Sequence, residues 1–176
     1  GIIHAIHSSR WGDMHIAIIG KKPDGTLDLA APVGNNREMG PSETERYVEN
    51  IREELDAPGE WYLDTKDHWL YLMPSGTEAP PSGGFVASRL ETLVTIAGRN
   101  QPVHDIQLQN LSYRYAEPTF FKTEEPLLRS DWKFSRLGAI VIENAEHVEV
   151  TDGEITEVGG NGVVVNGHAR HIGIRR

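Results

Sequence analysis

Short apolar segments that recur at a nearly fixed spacing constrain this chain more than any other feature. Ile140-Val141-Ile142-Glu143-Asn144 aligns with Val163-Val164-Val165-Asn166-Gly167, and His147-Val148-Glu149-Val150 aligns with His171-Ile172-Gly173-Ile174. The second pair is offset by 171 − 147 = 24 residues and the first by 163 − 140 = 23, so one residue is added in the turn between them. An earlier copy reads Val94-Thr95-Ile96 and then Asp105-Ile106-Gln107-Leu108; the spacing after it is longer because residues 116–137 form an excursion. Each segment has two or three inward apolar residues and then a turn, and alone it cannot bury that face. Stacked on its neighbours it contributes to a continuous core, with backbone hydrogen bonds running to the copies on either side. A period in the low twenties suits three short strands plus turns per coil, so residues 85–176 are expected to form coils of a parallel β-helix. An antiparallel sandwich with chance similarity is the alternative.

Residues 1–84 lack this texture. Met14-His15-Ile16-Ala17-Ile18-Ile19, the turn Lys22-Pro23-Asp24-Gly25 and the returning Thr26-Leu27-Asp28-Leu29 predict a hairpin. Ser42-Glu43-Thr44-Glu45 reads as a capping box, and Tyr47, Ile51 and Leu55 fall on one face of the helix it would open, stopped by Asp56-Ala57-Pro58-Gly59. Glu60-Trp61-Tyr62-Leu63 and Trp69-Leu70-Tyr71-Leu72-Met73 predict a second hairpin around residues 64–67. Residues 1–84 are therefore expected to be an inserted subdomain of two hairpins and one helix.

Composition narrows the function. A formal charge of -9 argues against a nucleic-acid partner, because phosphate binding needs a basic surface. With Cys 0, disulfides and thiolate metal sites are excluded. No apolar run approaches the roughly 18 residues of a membrane-spanning helix. The chain opens at Gly1 and stops two residues after Ile174; both ends read as cuts through a longer polypeptide, whose remaining coils are an expected partner.

Five stretches carry a likeness to a known family: His7-Ser8-Ser9-Arg10-Trp11-Gly12-Asp13-Met14-His15, Glu53 to Asp64, Leu70-Tyr71-Leu72-Met73-Pro74, Pro126-Leu127-Leu128-Arg129-Ser130-Asp131-Trp132 and Gly159-Gly160-Asn161-Gly162-Val163. The chain resembles the pectate-lyase-like β-helix proteins of polysaccharide-degrading bacteria, in particular those similar to glycoside hydrolase family 141. The resemblance implies an all-β fold made of the first coils of a right-handed parallel β-helix with an inserted hairpin/helix subdomain. It also implies a secreted, periplasmic or cell-surface location. The implied activity is that of a glycoside hydrolase, fucosidase- or xylanase-like, that cuts a carbohydrate substrate with a carboxylate pair. A non-catalytic glycan-binding or scaffold module is the second reading. A polysaccharide lyase is the third; it would need a Lys or Arg base and often calcium, and no aspartate cluster of calcium type occurs in the coils.

Glycoside cleavage needs two carboxyl groups, about 5–5.5 Å apart for retention and about 6.5–9.5 Å for inversion. By strand alternation Glu143, Glu149 and Glu154 point outward. Asp131, in the excursion, would hang over Glu143 or Glu157, so Asp131 and Glu143 are the candidate catalytic pair. Arg129 and Trp132 flank Asp131 as a bidentate donor and an aromatic platform. The plain alternative makes the acids solvated surface groups and Trp132 a plug on the core. Trp11 and His15 are candidate sugar contacts. His4, His7 and His15 match no metal-ligand spacing, so neither a metal nor another cofactor is expected. Asn35-Asn36 and Gly159-Gly160-Asn161-Gly162 are read as turns.

Overall fold

The structure, a computed structural model, describes residues 1–34, 40–76, 82–122, 125–126 and 133–176. It is all-β, with 54% of residues in strands and 2% in helix, and among the described residues there is neither a closed barrel nor a helical subdomain. Among the described residues no helix is long and apolar enough to cross a membrane. The chain divides into two compact units at Phe85.

In the first unit, β1 (Ile2–His7), β2 (Asp13–Lys21), β3 (Leu27–Leu29) and β4 (Pro41–Glu49) form an antiparallel sheet in the order β3-β2-β1-β4. Alternation puts Ile3, Ala5 and Ile16 on one buried face, with Ile18 packed against them. The predicted turn at Lys22–Gly25 closes the β2–β3 hairpin, with Lys22 N–H donating to Thr26 O at 2.8 Å. The second predicted hairpin is β5 (Trp61–Asp64) with β6 (Trp69–Leu72), in the register Tyr62↔Tyr71.

The predicted helix from Ser42 to about Leu55 is not there. Pro41–Glu49 is strand β4, and helix is confined to a single 3-10 turn at Arg52–Glu54. The local signal behind the expectation is nonetheless real: Ser42 Oγ accepts the backbone N–H of Glu45 at 3.2 Å, as a capping serine would. Tertiary pairing overrides it. Ile2, Ile3, His4 and Ala5 of β1 pair with Glu49, Val48, Tyr47 and Arg46, giving the segment a complete ladder partner that a surface helix lacks. Asn50, at φ 52°, then ends the strand, and its side chain binds the Leu63 backbone at both N–H and C=O (2.8 and 2.9 Å).

The second unit contains the repeat. Its strands are β7 (Val94–Ala97), β8 (Val103–Gln109), β9 (Ser112–Arg114), β10 (Glu125–Pro126), β11 (Lys133–Phe134), β12 (Gly138–Thr151), β13 (Glu154–Thr156) and β14 (Asn161–Arg175). Strand β12 is central: β14 runs parallel to it on one edge, β7 and β8 on the other. Val148 is in register with both Ile106 and Ile172, the row expected from the repeat. Strand β13 pairs in parallel with β9, and the short β10–β11 pair in the excursion is antiparallel. The residue added in the turn appears as a register shift: Glu143 pairs with Asn166, but Ala145 pairs with Ala169. The core is Ile96, Ile140, Ile142, Ala145, Val148 and Val150, closed by Tyr113. Gly98 is obligatory, since a β-carbon there would lie 2.3 Å from Gln101 O and 2.6 Å from Asn144 O.

Ile140 and Ile142 are both 0% exposed. Ile140→Ala and Ile142→Ala should each cost about 2–5 kcal/mol in urea unfolding, whereas Val165→Ala, at a position 45% exposed, should change stability by less than about 1 kcal/mol.

Candidate functional site

Strand β12 first turns a side chain out to solvent at Glu143; residues 138–142 before it are buried. Ladder register sets it in a row with Ala97 and Asn166. Its carboxylate lies beside Gly167, where a β-carbon would stand 3.9 Å from Oε1. Gly167 itself sits at φ +58°, a backbone state that glycine adopts without strain.

The chain returning from the excursion supplies the opposite wall. Asn161 Nδ2 donates to Ser135 O at 3.0 Å and to Leu137 O at 2.9 Å, fixing that segment at the start of β14. Arg136 between them donates from Nη1 to Asn166 Oδ1 at 3.0 Å, and Asn166 Nδ2 returns a bond to Arg136 O at 3.3 Å. The same guanidinium grips Glu125 with two parallel bonds, Nε to Oε2 and Nη2 to Oε1, the latter at 2.8 Å. This grip holds the Glu125 carboxyl below its ordinary range and pushes the Arg136 guanidinium up. Asn166 is 9% exposed, so its amide is locked in place.

These groups enclose a cleft of about 580 Å³ lined by Thr92, Thr95, Arg136, Val141, Glu143 and Asn166. Hydroxyls, an amide, a cation and one carboxylate over a small apolar floor suit a ligand rich in hydroxyl groups. The Glu143 carboxylate makes no side-chain hydrogen bond among the described residues; it lines the cleft and interacts electrostatically with Arg136.

Of the sequence candidates, Glu143 alone is placed in this cleft. Asp131, Arg129 and Trp132 lie outside the described residues, as do Asn35 and Asn36. Glu149 pairs with Arg175 at 3.1 Å and Glu154 with Arg114 at 2.6 Å, so both are committed to surface ion pairs. Glu157 is exposed at a left-handed corner, φ 52°. Trp11 and His15 belong to the first unit. Trp11 is 51% exposed in the β1–β2 connection, while His15 is engaged with His4 and Asp13. A second cavity of about 430 Å³ lies beside the stacked rings of His147 and His171, 4.5 Å apart. Among the described residues no group of three or more His, Cys, Asp or Glu side chains is placed to hold a metal ion.

Sequence reasoning missed Arg136, Asn166 and Glu125. The available signals were the repeat position of Asn166, which aligns with Glu143, and the opposite charges of Glu125 and Arg136 within the excursion. No family model, curated protein or solved structure matches the chain.

Glu125, Glu146 and Glu154 are each held below the ordinary value of 4.5, first by hydrogen bonds from Arg136, His168 and Arg114 respectively. A depressed carboxylate stabilises the fold above its unfolded pKa, and that stability is lost as pH falls through the folded pKa. Melting temperature should therefore hold above about pH 5 and fall progressively below pH 4.5. Arg136→Met should flatten that decline by removing the Glu125 contribution; an unchanged acid limb in this variant would show that the pair adds nothing.

Proposed function

We propose that residues 86–176 are the first coils of a right-handed parallel β-helix. We further propose that the chain is part of an extracytoplasmic glycoside hydrolase that binds its glycan in the Glu143 cleft. The observation that supports this reading is the outward carboxylate of Glu143, without a side-chain hydrogen bond, in a polar cleft lined also by Arg136 and Asn166. In this proposal Glu143 exchanges a proton with the glycosidic oxygen. A side chain in that role has to be within hydrogen-bond reach of the reacting atom and free of competing partners. Both Glu125 oxygens are occupied by Arg136, so Glu125 acts as the anchor of that cation and not as a base. The second carboxylate is Asp131, from the excursion that Arg136 terminates. Arg129 and Trp132 are the proposed sugar contacts beside it.

A glycan-binding module without catalysis is the second reading. It is favoured by the cleft's single free carboxylate among the described residues, since one acid suffices to accept hydroxyl protons but not to cleave a glycosidic bond.

Screening the protein on a panel of plant and host glycans tests the two together. Hydrolysis is expected, with kcat reduced about 10²–10⁴-fold in Glu143→Gln and Asp131→Asn while the fold is kept. Binding without turnover that is lost in Glu143→Gln would replace the hydrolase by the binding module. Turnover unaffected by Glu143→Gln would remove the cleft from the chemistry.

A further inference from the structure

The sign and placement of charge around the Glu143 cleft restrict which sugars it can hold. Glu125 and Arg136 are 11 residues apart in sequence, and the pairing of β10 with β11, Glu125 opposite Phe134, folds the excursion back so that they meet. Among the described residues, Arg136 and Glu143 are the only charged groups that line the cleft. A guanidinium in such a place is suited to hold a sugar carboxylate, through two parallel N–H bonds. Here that fork is already occupied. Its Nε and Nη2 edge carries Glu125, and Nη1 donates to Asn166 Oδ1 at 3.0 Å.

The hydrogen bond from Arg136 holds the Glu125 carboxyl below its ordinary range, so the pair is ionised at neutral pH. Arg136 also feels the charge of Glu143. One cation therefore serves two carboxylates, and the group keeps one net negative charge. Arg129 and Asp131, the proposed contacts from the excursion, carry opposite charges and leave that balance unchanged. A sugar carboxylate entering the cleft meets Glu143 with no open fork to receive it. At a separation of a few ångströms in a solvated cleft, that repulsion weakens binding about tenfold. An uncharged sugar meets no such field, and its hydroxyls have Thr92, Thr95 and Asn166 as partners.

We propose that Glu125 sets the charge specificity of the cleft: by neutralising Arg136 it makes the site take uncharged sugar residues and reject uronates. The proposal rests on the glycan reading of the cleft. Glu125 does not touch the sugar; it acts through the guanidinium that it holds. Without its carboxylate, Arg136 keeps the bond to Asn166 but has an open Nε–Nη2 edge, and its charge balances Glu143 alone. The cleft is then neutral and contains a fork that fits a carboxylate.

Calorimetric titration of the full chain at low salt tests this, with a panel of neutral oligosaccharides and oligouronates of matched length, xylotetraose and tetragalacturonate among them. Neutral oligosaccharides are expected to bind, and oligouronates to bind at least about tenfold more weakly. Glu125→Gln should raise oligouronate affinity about tenfold, and about 0.5 M sodium chloride should erase the gain. Glu125→Asp, which keeps the charge, should show no gain. Should Glu125→Gln fail to fold, the wild-type comparison still decides, together with Glu143→Gln, which removes the other negative charge without touching the pair and should also raise oligouronate affinity. Oligouronates bound by the wild type as tightly as neutral glycans, or a folded Glu125→Gln chain with no gain, would overturn the charge filter and leave the glycan reading in place. No binding of any oligosaccharide by the wild type would overturn the glycan reading, and the filter with it.

Discussion

The parallel ladder along β12 is the constraint on which the second unit depends. Each of its edges is hydrogen-bonded to another copy of the repeat, so its register is fixed from both sides. Side chains alternate along a strand, and a slip of one residue would move Ile140, Ile142 and Val148 out of the core and carry Glu143 into it. The burial that holds the row Ile106, Val148 and Ile172 together is thus the same force that aims Glu143 at solvent. Core packing aims Glu143, while the hydrogen bonds of Arg136, Asn161 and Asn166 set the opposite wall of the cleft.

Long parallel strands with fixed register still have to turn, and polar residues make the turns. Asp105, His147 and His171 occupy equivalent positions in three successive copies, all at φ between 52° and 58°. Asn110 and Asp152 repeat the pattern at the next corner, and Tyr115 and Glu157 at the one after. A left-handed residue costs roughly 1–2 kcal/mol relative to the right-handed form, least for Asn, Asp and His, whose short polar groups bond locally. The cost recurs in every copy and is offset by the buried apolar rows between the corners.

That repeat made the second unit legible in the sequence. The change of offset from 23 to 24 marked the register shift after Glu143, and the apolar triplets marked the core. The first unit was half legible. Both hairpins announced themselves through turn residues, whereas β1 and β4 did not, because their partnership spans some forty residues and leaves no local trace. Ser42 shows why the helix expectation failed: its cap-type hydrogen bond forms, but the ladder to Ile2–Ala5 outweighs one cap. The candidate site was legible only at Glu143, whose outward aim follows from alternation. Arg136 and Asn166 reach it through contacts across the excursion and between copies, which no spacing rule encodes. The meeting of His4 with His15 is likewise a product of strand pairing, invisible in their separation along the chain.

The parallel register of the repeat can be tested directly by paired cysteines, since the chain has no cysteine of its own. In the register described, Gln107 lies opposite Glu149 and Gln109 opposite Thr151. Neighbouring strands stand about 4.7–4.9 Å apart, within disulfide reach. The pairs Gln107→Cys with Glu149→Cys and Gln109→Cys with Thr151→Cys should both cross-link on mild oxidation, and Gln109→Cys with His147→Cys should not. An antiparallel sheet centred on the same Gln107–Glu149 pair would reverse the last two results, and that outcome would contradict the ladder and the cleft built on it.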